Sequence, residues 1–453
     1  MGGKVYIRAF GCQMNLKDTE RMLGFLRGAG YVPVDDPAEA DVLLCNTCSV
    51  RRKPEDKVLG LIGRWREYKE ARPGVVIGLG GCVAQQWGER LLTRLPALDL
   101  VFGTQAIHRL PELVARARTG ERVAAVEWLP PGAAELFAIP AAYESYPVSA
   151  FVSIMQGCDN RCAFCIVPSV RGPARSRAAA EVLAEARLLA ERGVRELTLL
   201  GQNVNAFRDR ETDFPALLAA VAAAPGIERV RFTTSHPQDL DDRLIAAMAR
   251  EPRVMEAIHL PVQAGADRTL RAMNRGYTRG HYLELVGKLR AAMPGIGITT
   301  DLIVGFPGET EADFQETLAL LREVRYDETF SFRYSIRPGT AAAGLGGQVA
   351  EAEKYDRLYR LQELQRAITA AKNEEQVGRV HEVLVEGVSK TDSGRLTGRG
   401  RTNRLVHFAG SAEPGEIIKV RIVQALKHSL VGEPLETPSA SLSCREEETC
   451  LSR

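Results

Sequence analysis

Six of the nine cysteines fall into two sets of three, and neither set can close a four-ligand site alone. Cys158, Cys162 and Cys165 lie in GCDNRCAFC, a C-x₃-C-x₂-C run. Cys12, Cys48 and Cys82 stand 36 and 34 residues apart, each within or just before a loop that follows an apolar, strand-like run. A 4Fe–4S cluster normally takes four cysteines. Three thiolates leave one iron open to a small molecule, as a catalytic metal keeps an open position. Two such sets in one chain point to two 4Fe–4S clusters acting on one reaction. Zinc is the alternative for the 158–165 run, but structural zinc wants four N or S ligands and this loop holds no His. For the dispersed set the alternative is three unrelated core thiols, since free Cys is among the most buried residue types. Their repeated placement at strand ends argues for ligation instead.

A chain of 453 residues holds two or three domains and needs no disulfide staples. The N-terminus, MGGKVYIRAFGC, lacks a charged-then-apolar leader pattern, and no apolar run approaches the ~18 residues of a membrane span. The expectation is a cytosolic protein without a membrane segment. There, cysteine groups bind metal more often than they pair as disulfides.

Residues 3–120 alternate apolar runs with helical patterns. KVYIRAF, DVLLCNT, VVIGLGG and LDLVFG read as strands, and Asp18–Gly28, Glu55–Glu70, Trp87–Arg94 and Leu110–Thr119 as helices. Such alternation argues a parallel sheet with helices on its faces, whose ligands bind beyond the carboxyl ends of the strands. Cys12, Cys48 and Cys82 follow the first, second and third strands, so they can converge on one rim. Gly11 and the Gly80-Gly81 pair allow backbone to approach a bulky inorganic core. Cys45 makes a C-x₂-C with Cys48, but strand alternation turns the two to opposite faces. Cys45 reads as core and Cys48 as ligand.

Residues 121–147 are rich in Pro and Ala without a clear period and read as a linker. From 148 to 372 come six apolar runs separated by helical patterns: AFVSIMQ, LTLLGQN, RVRFTTS, AIHLPVQ, GITTDLIVGF and ETFSFRYSI. Six β/α units make a partial parallel barrel, since a full eightfold barrel needs ~250 residues. Chemistry in such barrels sits at the C-terminal ends of the strands. The polar residues there are Gln202, Asn203, Ser235, His236, Gln263, Asp301 and Arg333, and the 158–165 cysteine run opens onto the same face. Residues 377–434 show short alternating runs that suggest a small all-β module. Lys390, Arg395, Arg399, Arg401 and Arg404 stand against Asp392 alone, a +4 excess in fifteen residues of a chain whose net charge is +2. Alternating Gly and Arg there suggest a flexible turn presenting an RNA-phosphate patch. Residues 435–453, with Cys444 and Cys450, read as a disordered tail.

At this point the motifs gather into a resemblance. FGCQMN, NTCSVR, GCVAQ, VSIMQGCDNRCAFCIVPSVRGPARSR, GQNVNAF, TTSHP, HLPVQAGAD, DLIVGFPGET, YSIRPGT and RTNRLVHF cover about residues 5–434. Together they resemble the radical S-adenosylmethionine (SAM) methylthiotransferases, and residues 377–434 resemble TRAM domains, small RNA-binding β-barrels. FGCQMN is similar to the tRNA branch acting on isopentenyladenosine. The ribosomal-protein branch usually reads GCPKN, and the threonylcarbamoyl-adenosine branch GCKVN. The resemblance implies a multidomain α/β enzyme: a parallel α/β sheet domain, a central partial (β/α)₆ radical SAM barrel and a C-terminal TRAM barrel. It implies a methylthio group added to C2 of N6-isopentenyladenosine at tRNA position 37, with two SAM molecules and two 4Fe–4S clusters. Cys158, Cys162 and Cys165 would carry the cluster that chelates SAM, and Cys12, Cys48 and Cys82 the cluster that carries sulfur. Phe164, Gln202, Asn203, Ser235, Gln263, Asp301 and Arg333 would meet SAM. Partners implied are a tRNA anticodon stem-loop, an electron donor such as flavodoxin or ferredoxin, and an iron–sulfur or sulfur carrier, with the enzyme itself a monomer. The local departures are Cys45, Ser169 where Tyr is frequent, and Ile336 where Pro is common.

Overall fold

The computed structural model describes residues 2–49, 52–139, 147–390 and 392–435, and only the backbone at 52–57 and 59. Cys444 and Cys450 lie outside the described residues, as do 140–146 of the expected linker. The chain forms two compact units, Met1–Thr369 and Ala370–Arg453.

The first unit opens with strands β1 (Gly3–Ala9), β2 (Tyr31–Pro33), β3 (Val42–Thr47), β4 (Val76–Gly81), β5 (Leu100–Phe102) and β6 (Val123–Ala125). They form one sheet in the order β2-β1-β3-β4-β5-β6, every neighbour parallel. Its helices are α1 (Gln13–Gly28), α2 (Arg52–Ala71), α3 (Cys82–Trp87), α4 (Arg90–Arg94) and α5 (Leu110–Arg118). β3 and β4 are buried at every residue, as expected of strands covered on both faces. Alternation sorts them: Leu44 packs with Met22, Leu26 and Leu113 on one side, while Leu43 and Cys45 pack with Ile62 and Trp65 on the other. Three details differ from the sequence reading. β2 and β6 are three-residue strands, too short to show a period. α1 begins at Gln13 rather than Asp18, because an extended Cys12 (φ −104°, ψ −178°) caps it directly after β1. The single helix expected at Trp87–Arg94 is broken by Gly88, whose φ of +52° ends α3 before α4 starts.

The chain continues through β7 (Ser149–Ser153), β8 (Met155–Gln156), β9 (Arg175–Ser176), β10 (Glu196–Leu200), β11 (Arg208–Asp209), β12 (Thr212–Asp213), β13 (Arg229–Thr233), β14 (Ala257–His259), β15 (Gly297–Val304) and β16 (Glu328–Arg333). The pairs β8–β9 and β11–β12 are two-residue antiparallel ribbons. The six expected barrel strands form two parallel sheets of three, β13-β10-β7 and β14-β15-β16. Between them the ladder shrinks to a Val230–Val254 bridge, and among the described residues the outer strands β7 and β16 do not pair, so the barrel is open. Helices α6 (Val167–Arg171), α7 (Ala179–Glu191), α8 (Phe214–Ala222), α9 (Asp242–Arg250), α10 (Asp267–Ala272), α11 (Arg279–Ala292), α12 (Glu311–Val324) and α13 (Glu351–Glu374) complete the α/β pattern. Their apolar stripes bury Val182, Leu217, Leu244, Leu285 and Leu318 against Leu197, Val230 and Leu302 of the strands.

The second unit is a closed barrel of β17 (Val380–Val388), β18 (Leu396–Gly400), β19 (Leu405–Phe408), β20 (Ile417–Ala425) and β21 (Leu430–Pro434), in the order β17-β18-β19-β21-β20. Val383, Val385, Val406, Phe408, Val420 and Ile422 fill it. The Gly-Arg run expected as a flexible turn is instead strand β18 and a tight hairpin, with Asn403 at φ +68°. A Cβ on Gly398 would collide with the Leu384 carbonyl, so that glycine lets β17 and β18 close. Gly63, by contrast, is exposed within α2 with nothing near its missing Cβ. We therefore expect Gly63→Ala to stabilise the first unit by ~0.5–1 kcal/mol through helix propensity. Gly398→Ala should destabilise the second by ~1–3 kcal/mol through overpacking. Urea midpoints of the two variants measure both shifts, and equal midpoints would refute the assignment of Gly398 to packing.

Candidate iron–sulfur active site

The dispersed thiols are positioned by the sheet order. β1, β3 and β4 are neighbours, and parallel strands lie about 4.8 Å apart. Cys12 follows β1, Cys48 follows β3 and Cys82 opens α3 directly after β4. The three loops thus stand side by side at the C-terminal edge, where chain direction across the sheet reverses between β1 and β3. A buried amide pair locks them. Asn15 Nδ2 donates to Asn46 Oδ1 (3.2 Å) and to the Thr47 carbonyl (3.0 Å), while Asn46 Nδ2 donates to the Asn15 carbonyl (2.8 Å). Thr47 Oγ1 reaches the Gly80 carbonyl at 2.7 Å. A Cβ on Gly11, at φ +144°, would stand 2.6 Å from the Cys48 Cβ, and one on Gly81, at φ +89°, would strike the Thr47 carbonyl. The glycines allow the three loops to approach one another closely. Cys45 is fully buried among Leu43, Ile77 and Leu79, and burial pushes its thiol up; it belongs to the core.

The thiols feel one another. A hydrogen bond from Cys48 lowers Cys12 to about 6, against the opposing effect of burial. Burial raises Cys82, with the Arg171 guanidinium opposing. In the other set burial pushes Cys165 up to about 12 and also raises Cys158. Metal ligation releases such protons. Among the described residues no three His, Cys, Asp or Glu side chains converge as ligands of a single ion would. A cubane cluster asks for a different geometry, one thiolate per iron.

The 158–165 loop is pinned on several sides. Cys158 N–H donates to the Gly172 carbonyl (3.2 Å), Ala163 N–H to the Met273 carbonyl (2.9 Å) and Asn274 Nδ2 to the Arg161 carbonyl (2.8 Å). Arg275 is buried and donates through Nη1 to Cys162 Sγ at 3.2 Å; its Nη2 donates to the Pro261 carbonyl and its Nε to Tyr277. His236 Nε2 lies 3.9 Å from the same sulfur, and burial, then Arg275, lower this imidazole to about 3. It is therefore neutral at physiological pH.

The strand-end residues divide by what they touch. Gln202 Oε1 accepts from the Gly157 N–H at 2.5 Å and so braces the cysteine loop. Asn203 is buried, donates to Asp239 (2.6 Å) and accepts from the His236 N–H (3.2 Å). Ser235 is 2% exposed and its Oγ has no hydrogen-bond partner among the described residues. Gln263 holds a strained φ of +75°. Asp301 stands 3.6 Å from His259 Nε2. Arg333 is engaged by Glu351 (2.7 Å) and lies over the Tyr355 ring. Phe164 packs beside Leu270, Met273 and Phe306. The structure thus brings Gln202 to the cysteine loop, sets Asn203 behind His236, which faces Cys162, and ties Arg333 to α13. Sequence reasoning missed Asn15, Asn46, Arg171 and Arg275. The amides inside FGCQMN and NTC were visible beside their cysteines, whereas the register of Arg275 was not.

In the second unit Lys390 is exposed, and the arginines have partners: Arg395 with Asp392 (3.2 Å), Arg399 with Glu386 (3.2 Å), Arg401 with Glu382 (3.8 Å) and Arg404 with Thr402. Carboxylates on β17 offset part of the positive excess read from the loop alone.

Comparison with known proteins agrees with this geometry. Residues 152–321 match the Radical SAM superfamily, 4–103 match Uncharacterized protein family UPF0004 and 374–435 match the TRAM domain. A radical SAM methyltransferase, TsrM from Kitasatospora setae, solved with cobalamin and a 4Fe–4S cluster, shares the fold: TM-score 0.56, 16% identity, 76% of this chain and 74% of that one. The cobalamin-dependent SAM radical enzyme OxsB gives TM-score 0.51 at 13% identity, over 81% and 56%. The fold and the cysteine run define a radical SAM enzyme. Proteins named tRNA-2-methylthio-N(6)-dimethylallyladenosine synthase are far nearer. That of Geobacter metallireducens is 52% identical over 95% of this chain and 98% of its own length; that of Geotalea uraniireducens is 49% identical over 95% and 98%. The chain belongs to that family of radical SAM tRNA methylthiotransferases.

Two open cysteine sets should hold two clusters. Anaerobically reconstituted protein should bind about eight irons, and Cys158→Ala/Cys162→Ala/Cys165→Ala about four. Cys48→Ala should lose the auxiliary iron while SAM cleavage continues, and Cys45→Ala should keep it. Iron and sulfide assays decide; loss of four irons in Cys45→Ala would reverse the assignment of these two thiols.

Proposed function

We propose that this enzyme transfers a methylthio group to C2 of N6-isopentenyladenosine at tRNA position 37, using two SAM molecules and two 4Fe–4S clusters. The observation that carries the reading is the arrangement of two three-thiol sets in one compact unit, one held by close loop packing at glycines and the other by buried polar anchoring. When bound, the Cys158/Cys162/Cys165 cluster supplies the electron that cleaves SAM, and the Cys12/Cys48/Cys82 cluster supplies the sulfur. An aromatic C–H carries no acidic proton for a side-chain base, so the chain needs no conventional acid–base pair. Its residues orient instead. Arg275 fixes Cys162, Gln202 holds the turn before Cys158, and the Ser235 hydroxyl is one buried polar atom left for SAM. Phe164, Gln263, Asp301 and Arg333 line the remaining positions proposed for that cofactor. Lys390, Arg395, Arg399, Arg401 and Arg404 hold tRNA phosphates around the anticodon stem-loop. An electron donor of flavodoxin or ferredoxin type, a sulfur or iron–sulfur carrier, a monomeric state and a cytoplasmic location complete the proposal. Among the described residues no helix is long and apolar enough to cross a membrane.

Mass spectrometry of tRNA nucleosides tests the reaction. A strain lacking the gene should lose the 2-methylthio nucleoside and accumulate N6-isopentenyladenosine, with rescue by the wild type and none by Cys48→Ala. An unchanged nucleoside profile would rule the substrate out.

Phosphate contacts position RNA without reading bases, and on single strands each contributes about −0.7 to the salt slope. Replacing Arg399, Arg401 and Arg404 by Ala should flatten the slope by ~2 and weaken tRNA binding while SAM cleavage persists. Full affinity with the full slope would place the RNA elsewhere.

A further inference from the structure

Arg171 has more donors than partners. It closes α6, five residues long, which starts two residues after Cys165. The side chains of Arg171 and Asp18 on α1 are each 3% exposed, and Arg171 Nη2 meets Asp18 Oδ2 at 2.7 Å. Nη1 is also buried and meets no acceptor in good hydrogen-bond geometry among the described residues. The guanidinium nonetheless reaches the Cys82 thiol, lowering it through a weak side-chain hydrogen bond as well as through its charge, and its charge also lowers Cys12. On the same turn Ile166 and Val170 pack against Cys82, and Thr104 Oγ1 donates to the Val170 carbonyl at 2.9 Å. The segment 166–172 thus touches both cysteine sets, since Gly172 accepts the Cys158 N–H.

A buried Arg–Asp pair alone is a weak stability device, because desolvation consumes most of its Coulombic gain. A guanidinium offers five N–H donors, and a buried one without an acceptor costs free energy. A cluster with three thiolates carries net negative charge and exposes sulfur acceptors. Cation and acceptor then fit one another.

We propose that Arg171 is a positioning residue of the Cys12/Cys48/Cys82 cluster: Asp18 holds its guanidinium, its spare N–H donates to cluster sulfur, and its charge offsets that of the cluster. This rests on the reading of those thiols as cluster ligands. Hydrogen bonds to the sulfurs and local charge set cluster potentials. Removing the cation disfavours an added electron, and removing Asp18 favours it.

The test is an EPR-monitored redox titration of the full-length chain carrying Cys158→Ala/Cys162→Ala/Cys165→Ala, so that only the auxiliary cluster titrates. In that background Arg171→Gln should lower the potential and Asp18→Asn should raise it. Arg171→Met/Asp18→Leu, which leaves no uncompensated charge, should lie between. A packing role alone would change iron occupancy without shifts of opposite sign. Should Arg171→Gln fail to fold, Asp18→Asn and the double variant still decide. Cluster-loaded variants whose potentials stay put, or shift the same way, overturn the assignment. Absence of any cluster in the parent background would instead refute ligation by Cys12, Cys48 and Cys82.

Discussion

Strand spacing is the constraint on which the dispersed site depends. Thiols separated by more than thirty residues meet because β1, β3 and β4 are consecutive in the sheet and run the same way. Had β2 lain between β1 and β3, Cys12 and Cys48 would stand a further strand width, about 5 Å, apart. The reversal of winding direction between β1 and β3 also keeps helices from covering that edge. Adjacency alone leaves loops free to sag. The Asn15–Asn46 pair removes that freedom, since each amide satisfies backbone of the other's loop while both are almost fully buried.

The second constraint is the short stretch between Cys165 and Gly172. It belongs to the barrel by sequence and to the sheet by packing, through Ile166 and Val170 on Cys82 and through Arg171 on Asp18. A further buried network, Lys17 with Glu185 (3.2 Å) and Glu185 with Arg177, fastens α1 to α7. Both contacts run from α1, the helix that Cys12 caps. Geometry at one set of thiols is therefore mechanically tied to the other, and movement of α1 or α6 disturbs both. Sulfur carried at one site and radical chemistry begun at the other need such fixed spacing, because a misplacement near 1 Å costs orders of magnitude in rate.

How much of this was legible differs by residue. Cys45 was legible as core from alternation alone, because period two is a rigid property of strands and its side chain packs with Leu43, Ile77 and Leu79; Cys48 lies one residue past the end of β3. The six barrel strands were legible because their apolar runs are bounded by helical patterns. β2 and β6 were not, since three residues carry no period. The Gly-Arg run misled for a physical reason. Glycine raises backbone freedom in an isolated segment, yet Gly398 is fixed by closure against the Leu384 carbonyl, which is remote in sequence. Glu382 and Glu386 were equally invisible as counter-charges, because cross-strand pairing depends on register.

The polar residues at the barrel rim show why position alone does not assign a ligand. A strand that ends at a rim leaves backbone donors and acceptors to satisfy, and nearby side chains compete for that task with any ligand. Gln202 is consumed by the Gly157 N–H, Asn203 by Asp239 and the His236 N–H, and Arg333 by Glu351. Each reads identically in sequence to a cofactor contact. Ser235 differs: its hydroxyl is buried and unpartnered among the described residues, a state that costs about 1–3 kcal/mol unless something restores the bond. His236, its neighbour, turns Nε2 toward Cys162, so the polar atom left over stands next to a residue that faces the cysteine loop. Ser235, unlike Gln202, Asn203 and Arg333, therefore keeps a buried hydrogen-bonding atom unspent among the described residues.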